Sequence, residues 1–126
     1  MLFYDISLKS PSDNLSLDDL LLKQAEQGLI GEALRLWESP QPFLVLGRVS
    51  SFEDDVMAEN CRRDGLEILR RSSGGGTVLQ GPGCLNFTFV LSKKDRPQLQ
   101  DLHRSYHDIL QPVIRMLGSQ IGRAHV

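Results

Sequence analysis

The stretch from Arg70 to Leu91 constrains the fold of this chain more than any other part of its sequence. Two arginines end an apolar run, two serines and three consecutive glycines follow, and a second apolar run returns after a Gly-Pro-Gly turn. This order predicts a strand, a glycine loop and further strands. Because glycine lacks a Cβ, the loop backbone reaches conformations closed to other residues, and its N–H groups can approach a ligand closely.

The residues of the glycine loop are typical of an anion site. Consecutive amides that face one concavity bind anions, and Arg71 beside them adds a charged donor for a phosphate or carboxylate. A mobile hairpin connection is the alternative explanation of three glycines. Two phosphate-binding patterns are excluded. No Gly-Lys-Ser/Thr completes a Walker loop, and Leu79 stands where a dinucleotide fingerprint beginning at Gly74 needs its last glycine.

Composition narrows the class of protein. The 126 residues, 40% apolar and 24% charged, suit one globular domain or part of one. A net charge of −2 gives no electrostatic reason to expect nucleic acid or an anionic membrane as partner. Cys61 and Cys84 lie in unlike settings, which argues against a disulfide framework. With no signal-peptide pattern at the N-terminus and no apolar run of membrane-spanning length, we expect a cytoplasmic protein.

Periodicity in the first half of the chain predicts alternating strands and helices. Strands are expected at 2–8, 33–38, 43–47 and 66–69, and Leu34 and Leu36 alternate with Arg35 and Trp37 in the second of them. A helix capped by Ser16 should end at Gly28, since Asp18 and Asp19 suit a first turn. A second helix should run from a Ser51 cap to about residue 63.

The second half predicts one long amphipathic helix from Leu99 to Leu117 that ends at Gly118 and is kinked or split by Pro112. His103 and His107 have metal-ligand spacing, but no acidic residue completes a zinc motif between them. We expect two surface histidines and no metal site.

Several of these segments resemble one known family. Arg70 to Val78, followed by Gly83 and Asn86-Phe87-Thr88-Phe89, resembles the lipoate-binding loop of the lipoate–protein ligase A family, part of the biotin/lipoate A/B protein ligase superfamily. Residues 14–19, Leu36-Trp37 and Leu46-Gly47-Arg48 are similar to further parts of its pattern, so the resemblance covers residues 14–118. It implies an α+β fold with a mixed, mainly antiparallel sheet flanked by helices, as in class II synthetases and biotin ligases.

The resemblance also implies an activity. Members of this family activate lipoate with ATP, and Mg²⁺ is expected with the nucleotide, to give lipoyl-AMP and pyrophosphate. The acyl group then passes to a lysine of a carrier domain. The implied partners are the lipoyl domains of 2-oxoacid dehydrogenase complexes or a glycine cleavage H-like protein, with no nucleic acid and no membrane.

Site residues follow by position from the same resemblance. Arg71 and the backbone of five residues would cradle the acyl-adenylate phosphate and nucleotide, namely Gly75, Gly76, Thr77, Val78 and Leu79. Ser73 would hydrogen-bond near the carboxylate, and Trp37 and Asn86 would line the acyl slot.

Two departures from the family pattern stand out. Gln80 replaces a frequent His, and Val49-Ser50-Ser51 replaces a Gln-Asn continuation. The family's catalytic Lys is expected beyond the chain end, since Lys93 and Lys94 follow the strand too soon. We therefore expect that these 126 residues alone do not complete adenylation.

Other functions stay open at this stage. Octanoyl transfer in the same superfamily would use a thiol, and Cys84 is the candidate near the loop, although a small buried apolar residue explains it more simply. A non-catalytic acyl- or nucleotide-binding remnant is a second alternative. RNA binding through Phe87 to Val90 is a third, opposed by Asn86 and by the negative charge.

The domain prediction has two parts. Residues 1–120 are expected to be the N-terminal part of a biotin/lipoate ligase catalytic domain. Residues 121–126, Ile-Gly-Arg-Ala-His-Val, match the in-frame translation of a common sequencing adapter, so we expect a non-native tail there.

Overall fold

The computed structural model describes residues 1–121, apart from the side chain of residue 121. The expected adapter tail therefore lies, except for the backbone of residue 121, outside the described residues. The chain divides into a first unit, residues 1–90, and a second unit that begins at Leu91. In the described part no helix has the length and apolarity needed to cross a bilayer.

The first unit holds six strands and three helices. Its strands are β1 (Leu2–Asp5), β2 (Ala33–Trp37), β3 (Phe43–Leu46), β4 (Glu67–Arg70), β5 (Val78–Gln80) and β6 (Asn86–Val90). Its helices are α1 (Pro11–Glu26), α2 (Phe52–Asp55) and α3 (Ala58–Arg63). All the strands expected from the sequence are present.

The strands form two small mixed sheets. In the first sheet, β2 lies between β1, to which it is parallel, and β6, to which it is antiparallel. In the second sheet, β3 lies between a parallel β4 and an antiparallel β5. The α+β class is confirmed, and its strands are divided between two sheets.

Helix α1 begins earlier than its sequence pattern predicted. Ser10 is the N-cap, and its Oγ accepts a hydrogen bond from the amide of Asp13 at 3.3 Å. Pro11 occupies the first turn, where its missing N–H costs nothing. The prediction of a Ser16 cap was therefore wrong, because Ser10-Pro11 already provides a start. The predicted end is confirmed, since Gly28 follows the helix with φ +73°.

The alternation in β2 is present, and its fully buried face carries Ala33, Arg35 and Trp37. Leu34 and Leu36 are half-buried on the other face. Two apolar clusters complete the core of this unit. One combines Leu21, Ala33 and Val90, and the other combines Trp37, Phe43 and Val45. Helix α1 contributes Leu17 to the first cluster and Leu15 to the second.

The segment after β3 forms two helices where one was predicted. Ser51 caps α2 as expected, with its Oγ accepting from the amide of Asp54 at 3.4 Å. Val56 then adopts an extended conformation, φ −123° and ψ 126°, and separates α2 from α3. Branching at Cβ favours that conformation in valine.

The second unit contains a short 3₁₀ helix, Pro97–Gln100, and helix α4, Leu102–Ile121. The predicted split at Pro112 and the predicted end at Gly118 were wrong, because α4 continues through both residues. Its apolar positions recur on both sides of the proline, so the amphipathic pattern outweighs the local cost of proline and glycine.

Candidate functional site

The glycine loop, residues 71–77, bridges the end of the central strand of the second sheet. Its flanking strands β4 and β5 do not pair with each other, since each pairs with a different side of β3. The hairpin alternative was therefore wrong. A connection of this kind passes over the C-terminal end of β3, so the residues after Leu46 meet the loop directly.

Gly47 makes this close crossing feasible. A Cβ at position 47 would overlap the carbonyl oxygen of Gly75, so no larger residue fits without displacing the loop. The adjacent segment also holds the loop. The amide of Arg48 donates to the carbonyl of Ser73 at 2.9 Å, and Ser50 Oγ donates to the carbonyl of Gly75 at 3.1 Å. This role was not predicted from the sequence, although Gly47 stands directly after an apolar strand.

The paired arginines each stabilise one of the two crossing loops. Arg70 Nη1 donates to the carbonyls of Gly47 at 2.8 Å and of Ser50 at 2.9 Å. Arg71 Nη2 donates to the carbonyls of Gly74 and Gly76, both at 2.9 Å. Arg71 was expected to face a ligand, and in this structure part of its guanidinium instead organises the loop that surrounds it.

These contacts leave the loop amides free. The carbonyls of Ser73, Gly74, Gly75 and Gly76 all accept hydrogen bonds from Arg48, Arg71 or Ser50. In a planar trans peptide the next residue's N–H points opposite to the carbonyl. Within residues 1–121, no acceptor is bonded to the amides of Gly74, Gly75 or Gly76. Each of these three successive unpaired amides therefore points away from the protein donor that holds the preceding carbonyl.

Gly75 is the conformationally demanding residue of the loop. Its φ is +103°, a region that side chains disfavour, and a Cβ there would lie 2.8 Å from Arg71 Nη2. Gly74 and Gly76 have no neighbour within 4 Å of a built Cβ. The three glycines are thus not equivalent, and only the middle one is sterically required.

A cavity of about 230 Å³ opens beside the loop within the first unit. Its apolar lining residues are Leu15, Trp37, Val45, Val78 and Phe87, and its polar ones are Asp18, Asp19, Arg71, Ser72, Ser73, Gln80, Asn86 and Thr88. Of the site residues expected from the sequence, Trp37, Arg71, Ser73, Val78 and Asn86 line it. Gly75, Gly76, Thr77 and Leu79 belong to the loop and β5 outside the lining.

A buried polar network lies against this cavity. Arg35 is fully buried and donates to the carbonyl of Ile6 at 3.2 Å, to Asn14 Oδ1 at 2.7 Å and to Asp18 Oδ1 at 2.8 Å. Asp18 Oδ2 accepts from Trp37 Nε1 at 3.2 Å and from Thr88 Oγ1 at 2.9 Å. The guanidinium carbon of Arg35 lies 5.1 Å from the centre of the Trp37 ring.

Asp18 was predicted to lie in α1, but its place in this network was not predicted. One signal was available, because Asn14 and Asp18 are four residues apart and therefore share a face of the helix. Asn14 is itself buried, and its side chain also bonds the backbone of Leu8 through Oδ1 and Nδ2, both at 2.9 Å.

Asn86 and Gln80 both line the cavity and contact each other. Asn86 Nδ2 donates to Gln80 Oε1 at 2.7 Å and approaches the carbonyl of Cys84 at 3.3 Å. Gln80, the residue that departs from the family's frequent His, thus orients Asn86 toward the cavity lining.

The two cysteines differ in exposure, and both are free thiols. Cys61 is buried, whereas Cys84 is exposed in the turn after β5. The explanation of Cys84 as a small buried residue was therefore wrong. Its exposure follows from the position of the turn, whose amide at Gly83 donates to Glu38 Oε1 at 2.6 Å. Cys84 does not line the cavity.

Metal-binding side chains do not cluster in the described part of the chain. No group of three or more His, Cys, Asp or Glu residues is placed to hold a metal ion among residues 1–121. Mg²⁺ in nucleotide sites is held largely by phosphate oxygens and water, with only one or two carboxylates. The expectation of Mg²⁺ stays a prediction.

Comparison with known proteins gives one consistent result. Residues 10–125 match the family model of the lipoyl protein ligase A/B catalytic domain. Lipoate-protein ligase A of Blochmanniella floridana is 34% identical over 86 residues, which cover 68% of this chain and 25% of the relative. Octanoyltransferase LipM of Anoxybacillus flavithermus is 29% identical over 119 residues, which cover 92% of this chain and 42% of the relative.

A solved structure supports the fold. A crystal structure of lipoate-protein ligase A bound with ATP has a TM-score of 0.80 and 22% sequence identity, over 93% of this chain and 47% of that one. The chain thus spans between a quarter and half the length of these three proteins.

Proposed function

The chain belongs to the lipoyl protein ligase A/B catalytic domain family, and from that premise we propose that its protein is a lipoate–protein ligase. In the first step a lipoate carboxylate oxygen attacks the α-phosphorus of ATP, a new oxygen–phosphorus bond forms, and pyrophosphate leaves. In the second step a carrier lysine amine attacks the acyl carbon, AMP leaves, and the amine loses a proton.

One observation carries the proposal: the loop that holds three unpaired amides also lines, through Arg71, Ser72 and Ser73, a cavity with an apolar wall. Amides of Gly74, Gly75 and Gly76 are unpaired within the described residues, and their opposite carbonyls are held by protein donors. Preorganised amides of this kind stabilise phosphate charge without reorganising during the reaction. The loop is therefore suited to the phosphate of an acyl adenylate.

Arg71 supports the same assignment through its charge. Within residues 1–121 no carboxylate forms an ion pair with its guanidinium, which donates to neutral carbonyls. The positive charge is therefore not compensated by the protein, and it lies at the cavity lining where an anion would meet it.

The acyl chain is assigned to the cavity itself. Trp37 and Val45 are buried side chains that line it from the core, and Asn86 supplies a polar wall. Apolar walls with few polar groups are the usual composition of a small-molecule site. Ser73 stands between loop and cavity, where it can hydrogen-bond the acyl carboxylate.

The catalytic lysine and the carrier belong to the proposal as well. We propose that the lysine comes from outside these 126 residues, and that the acceptor is a lipoyl carrier domain. The chain's share of its relatives' length supports this division.

Activity in two forms of the protein tests the proposal. A protein extended by further coding sequence should release pyrophosphate from ATP with lipoate and modify a carrier lysine, whereas the 126-residue chain should bind the acyl adenylate without turnover. Pyrophosphate release by the 126-residue chain would contradict the division. Failure of the extended protein to need lipoate and ATP would contradict the ligase.

Octanoyl transfer is a second candidate, favoured by the likeness to an octanoyltransferase over 92% of this chain. Such a reaction needs no ATP, and a thiol nucleophile would first take the acyl group from a thioester. Cys84 is exposed but does not line the cavity, which weighs against it as that nucleophile. Carrier modification without ATP, abolished by Cys84→Ser in the extended protein, would favour the transferase.

A further inference from the structure

The polar network behind the cavity has a role that the phosphate-binding loop does not explain. A fully buried arginine is costly to desolvate and is retained only with good compensation. Its partner Asp18, from α1, lines the cavity itself. The Asp18 carboxylate also accepts hydrogen bonds from two other cavity-lining side chains, Trp37 and Thr88.

A carboxylate in the lining of an acyl cavity is a candidate catalytic group, but the contacts of Asp18 argue against that role. Its Oδ1 accepts from Arg35 at 2.8 Å, and its Oδ2 accepts from both Trp37 and Thr88. Its side chain is 22% exposed. Because neighbouring donors occupy both of its oxygens, Asp18 holds other side chains in place and does not act on a ligand.

We propose that Asp18, held by buried Arg35, is a positioning residue that fixes the Trp37 indole as a wall of the acyl cavity and so sets which chain length fits. The inference rests on the proposed function for the identity of the ligand. The orientation of the indole itself depends only on the contacts described here.

Three contacts determine that orientation. The indole N–H is held by Asp18 Oδ2 at 3.2 Å, the ring lies 5.1 Å from the Arg35 guanidinium carbon, and the side chain packs with Phe43 and Val45. Packing resists a shift of the ring, while the hydrogen bond selects its rotation. Without an acceptor in the protein, the buried indole N–H would be unpaired, so rotation of the ring toward solvent in the cavity becomes favourable.

The chain offers a direct probe because Trp37 is its single tryptophan. Fluorescence therefore reports this wall alone. Asp18→Asn is the decisive variant, because an amide offers one oxygen, so its nitrogen must face either Arg35 or Trp37, both donors. Asp13→Asn is the matched control, since Asp13 is an exposed aspartate of the same helix and does not line the cavity.

Three readouts are measured on the 126-residue chain: acrylamide quenching of Trp37 without ligand, affinity for octanoate, and the ratio of octanoate to hexanoate affinity. Asp18→Asn should raise quenching at least about twofold, weaken octanoate about tenfold and change the ratio at least about threefold, as one unpaired buried donor implies. Asp13→Asn should leave all three within about a factor of two. A general loss of stability would weaken both acids alike and leave the ratio unchanged.

The inference is overturned if folded Asp18→Asn keeps the wild-type quenching and ratio. If Asp18→Asn does not fold, Asp18→Glu decides, because it keeps a carboxylate for Arg35 but displaces the oxygen that accepts from the Trp37 indole. Raised quenching with a changed ratio in Asp18→Glu supports the inference, and wild-type quenching with a wild-type ratio overturns it. Absence of any octanoate or lipoate binding by the wild type would instead contradict the proposed function, while quenching would still decide the position of Trp37.

Discussion

Arg35 and Arg71 anchor two regions of the first unit in opposite ways. Arg35 is fully buried and pairs with the Asp18 carboxylate, so its charge is compensated inside the protein. Arg71 is partly exposed and donates to the neutral carbonyls of Gly74 and Gly76. The first arrangement completes a core, and the second leaves positive charge at a cavity and unpaired amides in the loop that borders it. The contrast separates a residue that shapes the site from one that binds its anion.

The difference predicts unequal effects on stability, the largest at Arg35. Arg35→Ala would leave the Asp18 carboxylate without its cation and its Oδ1 without a donor, so we expect a loss of about 3–5 kcal/mol in the free energy of unfolding. Urea denaturation followed by circular dichroism measures it. Arg48→Ala, at an exposed arginine, should change the same quantity by less than about 0.5 kcal/mol. If Arg35→Ala lowered the free energy of unfolding by less than about 1 kcal/mol, as expected of a surface ion pair, the contrast between a structural Arg35 and an anion-binding Arg71 would be wrong.

Gly47→Ala should have the next largest effect, and it acts on the Arg71 region alone. The added methyl overlaps the carbonyl of Gly75, so the loop must move at a cost of about 1–3 kcal/mol. Its displaced amides should weaken a non-hydrolysable lipoyl-adenylate analogue at least about tenfold, measured by calorimetry. Gly74→Ala is the control within the loop, because nothing lies near its Cβ. Equal affinities of the two variants would show that the crossing does not shape the anion site.

Arg71→Met sharpens the comparison by separating binding from stability. We expect a decrease of about 1 kcal/mol or less in unfolding free energy, because two of the three hydrogen bonds removed are exposed and the third, to the Val45 carbonyl, is long at 3.5 Å. Affinity for the analogue should fall about tenfold. The difference in affinity between the variant and the wild type should become smaller as the salt concentration is raised. Arg62→Met, at an exposed helix end, serves as the matched removal of charge. An Arg71 variant that unfolds readily but binds normally would reverse the assigned roles.

Thr77→Val should have the smallest effect of the series. Thr77 Oγ1 donates to Asp55 Oδ2 at 2.8 Å in an exposed contact at the end of the loop. Exposed contacts of this kind contribute little, so we expect less than about 0.5 kcal/mol in stability and less than about threefold in affinity. A tenfold weaker affinity in calorimetry would mean that this end of the loop, and not the Arg71 end, controls the amides.

Much of this arrangement was predictable, and two of the failures, at Arg35 and Arg71, share one cause, which is dependence on residues distant in sequence. The glycine loop, its flanking strands and the helix stop at Gly28 follow from local patterns, and each is present. Trp37 and Asn86 were placed near one site by resemblance, and both line the cavity. The burial of Arg35 was not predictable locally, because its acceptors come from residue 6 and from residues 14 and 18 of α1, which are distant in sequence.

The direction of Arg71 is a second case. Its position beside three glycines indicated a ligand contact, yet two of its hydrogen bonds go to the loop itself. Which acceptor a guanidinium meets depends on how the loop crosses β3, and that crossing is set by Gly47, far away in sequence. The early start of α1 differs from both cases, because Ser10-Pro11 was a readable signal that the stronger acidic pattern at Asp18 and Asp19 obscured.

The amides of the glycine loop can be observed directly by nitrogen-15 NMR of the 126-residue chain during titration with the lipoyl-adenylate analogue. We expect Gly74, Gly75 and Gly76 to show the largest amide shifts, which saturate together, while Gly28 and Gly65 at helix ends stay unchanged. Saturable binding that leaves the three loop amides in place, with the largest shifts elsewhere, would contradict the assignment of the anion site to this loop.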